Sequence, residues 1–522
     1  MSPADRLLGR RHVLRLGVSG LGLAALGAAG CGSAPVRTAR STVGQVDFRH
    51  ALHIPPLAEP TRVQGDDGAR LTFDLAAQEG RAHIVDQGET RTWGINGDHL
   101  GPTLRARRGD TVIVRFTNGL SETTTLHWHG MHLPAEADGG PHQMVEPGES
   151  WEPSWRIAQP AATLWYHPHP HGETEAHVHR GIAGLFLLDD DEEEALDLPR
   201  EYGVDDIPVI VQDRTFDAQG QLVETSHRNN GMLGETVLVN GTADPVLEVS
   251  AERTRLRILN GSGARSYAFG FEDGRTFAMI ASDGGLLPAP VRMERIMLTP
   301  GERAEILVDM EPAEEVVLRS FPQDLGLTRG MADSTGSGDE LDIMLLRAAQ
   351  TLRPASALPS ILARLEALEE TAASTVRGFE LRTNRINGRS MDRGRIDEVV
   401  TAGTTEIWEV WNDHGQPHNV HIHDVQFQIL SVGAEPPPPE LAGWKDTVYL
   451  PPHERVRLIM RFSDYTSTEI PYMYHCHLLW HEDQGMMGQF VVVAPGEEDD
   501  VDVAPRLGDD GSGPREPGPH GH

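Results

Sequence analysis

Cysteine is nearly absent from this chain of 522 residues: only Cys31 and Cys476 occur. A disulfide framework is therefore excluded, and so is a metal cluster held by cysteines alone. Positive charge is also short. Lys and Arg number 45 against 78 Asp and Glu, for a formal net charge of −33. That balance argues against nucleic acid or an anionic membrane surface as the main partner. Long helical patterns are scarce, and the one candidate is Ile361, Leu362, Leu365 and Leu368 after Pro359, read as a linker helix. Beyond the N-terminus no run is long and apolar enough to cross a membrane. Histidine, by contrast, is abundant, with 25 residues.

The N-terminus reads as a targeting segment. Arg10-Arg11 precedes a weakly apolar run from Leu16 to Gly30, which fits an h-region behind a basic n-region. The paired arginines resemble a twin-arginine export signal. The run ends Gly27-Ala28-Ala29-Gly30-Cys31, similar to a lipoprotein cleavage box, so residues 1–31 are read as a signal and Cys31 as a possible lipid anchor. An exported protein of the cell envelope or the medium is expected, and a monomer.

The body reads as β-structure. Runs such as 111–116, 255–259 and 489–493 are β-branched and bounded by Gly, Pro, Asn or Asp. An internal repeat organises them. Gly109 stands 18 residues before His127 and Asn118 stands 9 before it, and Gly403, Asn412 and His421 repeat both spacings. A third copy follows Arg255-Leu256-Arg257-Ile258-Leu259-Asn260, where Phe269 and Phe271 fill the slot of the paired histidines. The middle unit thus reads as a spacer without metal ligands. The acidic run 189–194 is taken to separate units one and two, and the stretch 334–340 with the segment to about Arg377 to separate two and three. The units are read as 45–195, 205–350 and 375–495, with 496–522 a disordered acidic tail.

Random placement of 25 histidines would give about one His-x-His pair, yet seven are present. On a strand, residues i and i+2 share a face, so each pair offers two imidazoles to one side of a sheet, and imidazole suits copper, zinc, iron or nickel. Four clusters matter: His127-Trp128-His129, His167-Pro168-His169, His418 to His423, and His475-Cys476-His477 with His481 and Met486. A thiolate, two imidazoles and a thioether make a blue-copper site, and Cys476, His481, Met486 and His418 can supply them. If residues 475–477 are extended, Cys476 faces one way and its two histidines the other. Two metal sites are then joined by covalent bonds.

These motifs, with Gly443-Trp444-Lys445-Asp446-Thr447 and His481-Glu482-Asp483 followed by Met486-Met487, resemble the three-domain bacterial multicopper oxidases, which include laccases, bilirubin oxidases and copper-efflux oxidases. The resemblance covers about residues 45–495. It implies an all-β fold of three cupredoxin-like Greek-key sandwiches and four copper ions. Type 1 copper would take His418, Cys476, His481 and Met486. Type 2 would take His127 and His421, and the type 3 pair His129, His167, His169, His423, His475 and His477. The implied activity is one-electron oxidation of a phenolic, aromatic or metal-ion reductant such as Cu(I), coupled to reduction of O2 to water. Asp138 matches the position of an acid beside the trinuclear centre. In bacterial members a second acid is expected just before the last type 1 histidine, but that residue is Trp480 here, which cannot relay protons. Residues 345–390 contain no methionine and Gln416 precedes Pro417-His418, so a methionine-rich cuprous docking site is not visible. His171, His177 and His179 read as loop histidines with a possible supporting role, and His132, His142, His414 and His453 as surface residues. Two other readings fit less well. An envelope copper-sequestering protein with little turnover would not need the full donor set, and a copper nitrite reductase has two domains per chain and no paired type 3 set.

Overall fold

The computed structural model describes residues 39–66, 68–226 and 230–503. The expected signal, with Cys31, lies outside the described residues, as does the tail beyond residue 503. Within them the chain forms six β-sheets that pair into three sandwiches. In the first, a sheet built on Gly68–Val85 and Thr111–Asn118 faces one carrying His127–His129, Ala162–His167 and Gly184–Asp189. In the second, a seven-stranded sheet around Arg253–Asn260 faces a six-stranded one that includes Tyr267–Phe271. In the third, a sheet around Thr404–Asn412 faces one carrying His418–Ile422, Tyr472–His475 and Met487–Val493. No helix among the described residues is long and apolar enough to cross a membrane.

The alternation in Thr111–Asn118 shows why these strands form. Val112, Val114, Phe116 and Asn118 point inward while Arg115 and Thr117 are exposed, the period-two pattern of a sheet with one face on a core. Each sandwich has its own apolar core, with Phe73 and Trp128 in the first, Phe269 and Phe271 in the second, and Trp408 and Phe490 in the third. Burying one such side chain stabilises the fold by about 1.5–3 kcal/mol.

The three sandwiches share one corner. Asn118, Asn260 and Asn412 each end a strand and are fully buried. Nδ2 of Asn118 donates to Glu122 O and Val145 O at 2.8 and 2.9 Å. Asn260 does the same to Arg265 O and Leu298 O at 2.8 and 2.9 Å, and Asn412 to Gln416 O and Leu450 O, both at 2.9 Å. In each copy Oδ1 accepts the N–H two residues on, an Asx turn. The middle copy is therefore a true repeat of the outer two.

Three expectations need correction. No helix covers residues 361–368. Leu362 and Leu368 are buried one at a time against different clusters, and Ile361 is exposed, so the spacing mimicked a helix face by chance. The stretch 334–340 lies inside the second sandwich, because the strand Leu341–Arg353 that follows belongs to its six-stranded sheet. Before residue 504 the tail is not free: Glu498–Asp500 forms a short 3-10 turn and Val503 bridges to Ile396. The second sandwich also takes in His50–Ala51, which pair with Pro245 and Val246.

A buried ionic cluster ties the first two sandwiches together. Arg255 and Arg257 share Glu305, and Arg257 also holds Asp206. Thr163, on the strand that leads to His167, donates to Glu305 Oε1 at 2.6 Å and accepts from Arg257 at 2.9 Å. Such a pair anchors through the cost of breaking it, about 3–5 kcal/mol when one partner is removed.

Candidate metal centres

Eight histidines converge between the first and third sandwiches, and all are buried. Register explains the approach. His167 pairs with His127 across one sheet and His421 with His475 across another. His423 Nε2 lies 3.2 Å from His475 Nε2, His169 Nε2 3.3 Å from the same atom, and His477 Nε2 3.4 Å from His167 Nε2. The rings of His129 and His421 stack with centroids 3.6 Å apart.

Most of these rings are anchored through Nδ1. His127 donates to Asp138 O at 2.8 Å, His167 to Pro168 O at 2.8 Å, and His421 to Asp446 O at 2.9 Å. A carbonyl can only accept, so Nδ1 carries the proton and Nε2 the lone pair. Burial, with neighbouring imidazoles adding to it, holds His167, His421 and His423 well below the usual histidine range, and His129 and His477 likewise. Neutral imidazoles with lone pairs facing one another repel unless a cation lies between them. Two nitrogens bound to one metal at about 2.0–2.1 Å with a tetrahedral angle would stand about 3.3 Å apart. The observed spacings fit that value. His127 Nε2, His129 Nδ1 and His421 Nε2 have no protein hydrogen-bond partner, which agrees with a donor set shaped for metal.

A second donor set lies on the far side of Cys476. Its Sγ is 3.6 Å from His418 Nδ1 and 3.5 Å from His481 Nδ1, and those two nitrogens are 3.2 Å apart. With metal–sulfur and metal–nitrogen bonds of about 2.3 and 2.0 Å, an N···S spacing of roughly 3.5 Å is expected. Met486 is fully buried, its O accepts from Cys476 N at 3.1 Å, and its N donates to His481 O at 3.0 Å. Burial pushes the Cys476 thiol up to about 12, so without a cation it is a plain buried thiol. The strand Tyr472–His475 ends at His475, and His475 and His477 point to the eight-histidine cluster while Cys476 faces the other donor set.

The description "Multicopper oxidase" matches residues 76–193, 205–317 and 364–496, once in each sandwich. The chain belongs to the multicopper oxidases. It is 34% identical to the multicopper oxidase mco of Staphylococcus haemolyticus over 459 residues, covering 87% of this chain and 95% of that one. It is 37% identical to the cell division protein FtsP of Xenorhabdus nematophila over 454 residues, covering 85% and 93%. The crystal structure of a laccase from Pediococcus acidilactici superposes with a TM-score of 0.77 at 37% identity, covering 85% of this chain and 94% of that one. The all-β, cupredoxin-like fold of this multicopper oxidase follows, and copper is the metal its family binds.

Asp138 sits where an acid was expected. It is buried, and its Oδ2 accepts from His423 Nδ1 at 2.8 Å while Oδ1 is 3.5 Å from His127 Nδ1. Its turn is tight: a Cβ on Gly139, at φ +77°, would stand 1.9 Å from Leu126 O.

The second acid is Glu482, on the other side of His481 from Trp480. It is fully buried, with Oε1 3.2 Å from His169 Nδ1 and Oε2 3.2 Å from His475 Nδ1. In the sequence the acid expected just before His481 is replaced by Trp480, and Glu482 follows His481 instead. The usable signal was the helical turn Leu479–Asp483, which swings residue 482 back toward the cluster.

The remaining histidines support or lie apart. His177 Nδ1 is 3.0 Å from Thr124 Oγ1 and its ring packs on Trp93. His179 is buried and His171 exposed. His142 bonds Gln489 at 2.8 Å. His132 is no simple surface residue: its ring bridges Asp424 and Asp464, 2.7 Å from each. His414 stands on the outer side of His418, ring centroids 6.4 Å apart.

Proposed function

We propose that this chain is a copper oxidase that takes single electrons from a small reductant at the Cys476 site and delivers them to dioxygen at the eight-histidine cluster. Cys476 between His475 and His477 carries this reading, because one residue belongs to both donor sets. Four copper ions are assigned. His418, Cys476, His481 and Met486 hold type 1, and His127 and His421 hold type 2. His129, His167, His169, His423, His475 and His477 hold the type 3 pair. Bound copper supplies one-electron redox chemistry and a place where dioxygen takes four electrons and four protons to give two waters.

The chain's own residues do the rest. Cys476 and its backbone bonds to His475 and His477 give a covalent route of roughly 10 Å. Asp138 holds a proton position at His423 Nδ1, and Glu482 does so at His169 and His475. Both are the proton-supplying acids of the site. Each lies behind a ring and does not displace a metal-facing nitrogen. Reductant would approach along the edges of His414 and Trp480, which flank His418 and His481 and are partly exposed. The absence of methionine from 345–390 favours an organic reductant over a methionine-docked cuprous ion. The sandwich limits are taken as 45–195, 205–350 and 375–495, except that His50–Ala51 and the end of the strand Leu341–Arg353 belong to the second sandwich. Export and a place in the cell envelope are assigned from Arg10-Arg11 and Cys31.

The FtsP relative is as similar as the oxidases, so similarity does not choose between an oxidase and a binding protein of the same fold. The complete donor set favours the oxidase. The test is oxygen uptake by copper-loaded protein with a bulky phenol and with Cu(I), repeated for Cys476→Ser. Loss of both blue absorbance and uptake is expected. Uptake surviving in the variant would remove Cys476 from the electron route, and no uptake by the blue wild-type protein would favour copper binding without turnover.

A further inference from the structure

The second sandwich has phenylalanines where the others have histidine pairs, yet it reaches the cluster. Its turn from Thr299 to Glu302, which leads into the strand Arg303–Asp309, lies against the histidine cluster and reaches Cys476 through Asn419. Arg303 is fully buried and spends all five N–H groups. Nε donates to Thr163 O at 2.9 Å, and Nη1 and Nη2 donate to Gly301 O and Asp283 O, each at 3.0 Å. The remaining two form a fork on Asp446, at 2.7 Å to Oδ1 and 2.6 Å to Oδ2.

Asp446 in turn holds one ring from each outer sandwich. Its Oδ1 lies 3.1 Å from His129 Nε2, and its main-chain O takes His421 Nδ1 at 2.9 Å. His129 is thereby reversed relative to His127, His167 and His421: its Nε2 faces the carboxylate, so its Nδ1 faces the cluster. A guanidinium presents its N–H groups as a rigid planar fork, so the two-pronged pair fixes the carboxylate in plane with Oδ1 turned to His129. With Oδ1 accepting at this position, His129 Nε2 is the donor, which leaves the lone pair on Nδ1.

The same turn braces Cys476. Thr299 Oγ1 and Pro300 O accept from Asn419 Nδ2 at 3.0 and 2.9 Å. Asn419 Oδ1 accepts from His477 N at 2.7 Å and is 3.7 Å from Cys476 Sγ. Gly301, at φ +87°, fits flush against the rings: a Cβ there would stand 3.0 Å from His477 Nδ1 and 3.1 Å from His129 Cε1.

We propose that the turn Thr299–Arg303 of the middle sandwich is a positioning element for the histidine cluster, with Arg303 acting through Asp446 to fix which ring nitrogens of His129 and His421 face the metal. This inference rests on the oxidase reading above and adds a role for the sandwich that carries no histidine pair. Partners that orient metal-bound histidines typically alter metal affinity about 10- to 100-fold.

The test uses full-length copper-loaded protein titrated with a chelator. The non-blue copper resonance is followed, and the blue band at Cys476 serves as the internal reference. In Arg303→Lys the charge stays but the fork is lost. The non-blue signal should disappear at about 10- to 100-fold lower chelator concentration, with an altered hyperfine splitting and an unchanged blue band. Wild-type chelator resistance and splitting would overturn the proposal.

If Arg303→Lys does not fold, the paired change Arg303→Met with Asp446→Val replaces two buried charges by apolar groups of closer volume, which buried pairs often tolerate. A folded, blue chain that has lost its non-blue copper supports positioning. A folded chain with the full complement overturns it. So does a chain that cannot fold, because the contact is then needed for the fold itself. A wild-type chain with no blue band would instead sink the oxidase reading.

Discussion

The outer and middle sandwiches are alike at their asparagine corner and differ in the slot beyond it, as the repeat in the sequence implies. Asn118, Asn260 and Asn412 hold the same two-carbonyl corner in all three. Beyond that corner the outer units place His127 and His421 in a cleft between sandwiches, whereas the middle unit places Phe269 and Phe271 in its own core. One scaffold thus yields a metal donor or a core residue, according to whether the strand after the corner faces a neighbour or its own second sheet. The middle unit is still no inert spacer, because its Arg303, at the start of the strand Arg303–Asp309, reaches the shared site.

The comparison can be broken by exchanging the slots. Phe269→His with Phe271→His should gain no copper, since no facing strand supplies partners, and should destabilise the middle sandwich by roughly 3–5 kcal/mol through cavity and unpaired imidazoles. Copper content and the unfolding midpoint check it; an added equivalent of tightly bound copper would show that the slot alone makes a site. A smaller effect is expected of Asp138→Asn. Turnover should fall about 10²-fold, the lower range for a proton-transferring side chain, while the blue band still bleaches on adding reductant. Unchanged turnover would take Asp138 off the proton path.

Removing a corner sharpens the comparison. Asn260→Ala should cost about 2–4 kcal/mol by leaving two buried carbonyls unpaired, and Asn118→Ala and Asn412→Ala should cost the same. Denaturant midpoints compare them, and a middle-unit variant of negligible cost would mean the corner is not a common structural device. The smallest effect concerns the contact between first and third sandwiches. Burial by itself would lower His132, but Asp424 and then Asp464 outweigh it and raise it from 6.5 to about 10. A folded-state value above the unfolded one means the contact stabilises fully below about pH 6.5 and fades as pH rises toward 10. His132→Gln should flatten that part of the melting-temperature profile; an identical alkaline decline would assign it to other groups.

Strand identity and the histidine donors were legible because both depend on local geometry. Alternation in 111–118 and the two-residue spacing of His-x-His follow from the pleat itself. The leucines after Pro359 misled for the same reason: their spacing fits a helix face, but Leu362 and Leu368 were claimed by separate cores. Glu482 was missed because its use depends on a short helical turn that folds it back between His169 and His475. Asp446 was seen only as part of a motif, and its partner Arg303, 143 residues away, left no mark in the spacing.

By itself, then, the amino-acid sequence determined the period-two strands, the triplicated corner and the ten histidines with one cysteine able to hold metal. Each is set by bond geometry over a few residues. Tertiary structure alone decided which nitrogen of each ring faces the cluster, which acids stand behind them, and that the middle sandwich braces the site. Those depend on contacts across hundreds of residues, where a buried carboxylate or guanidinium takes whichever partner packing brings to it.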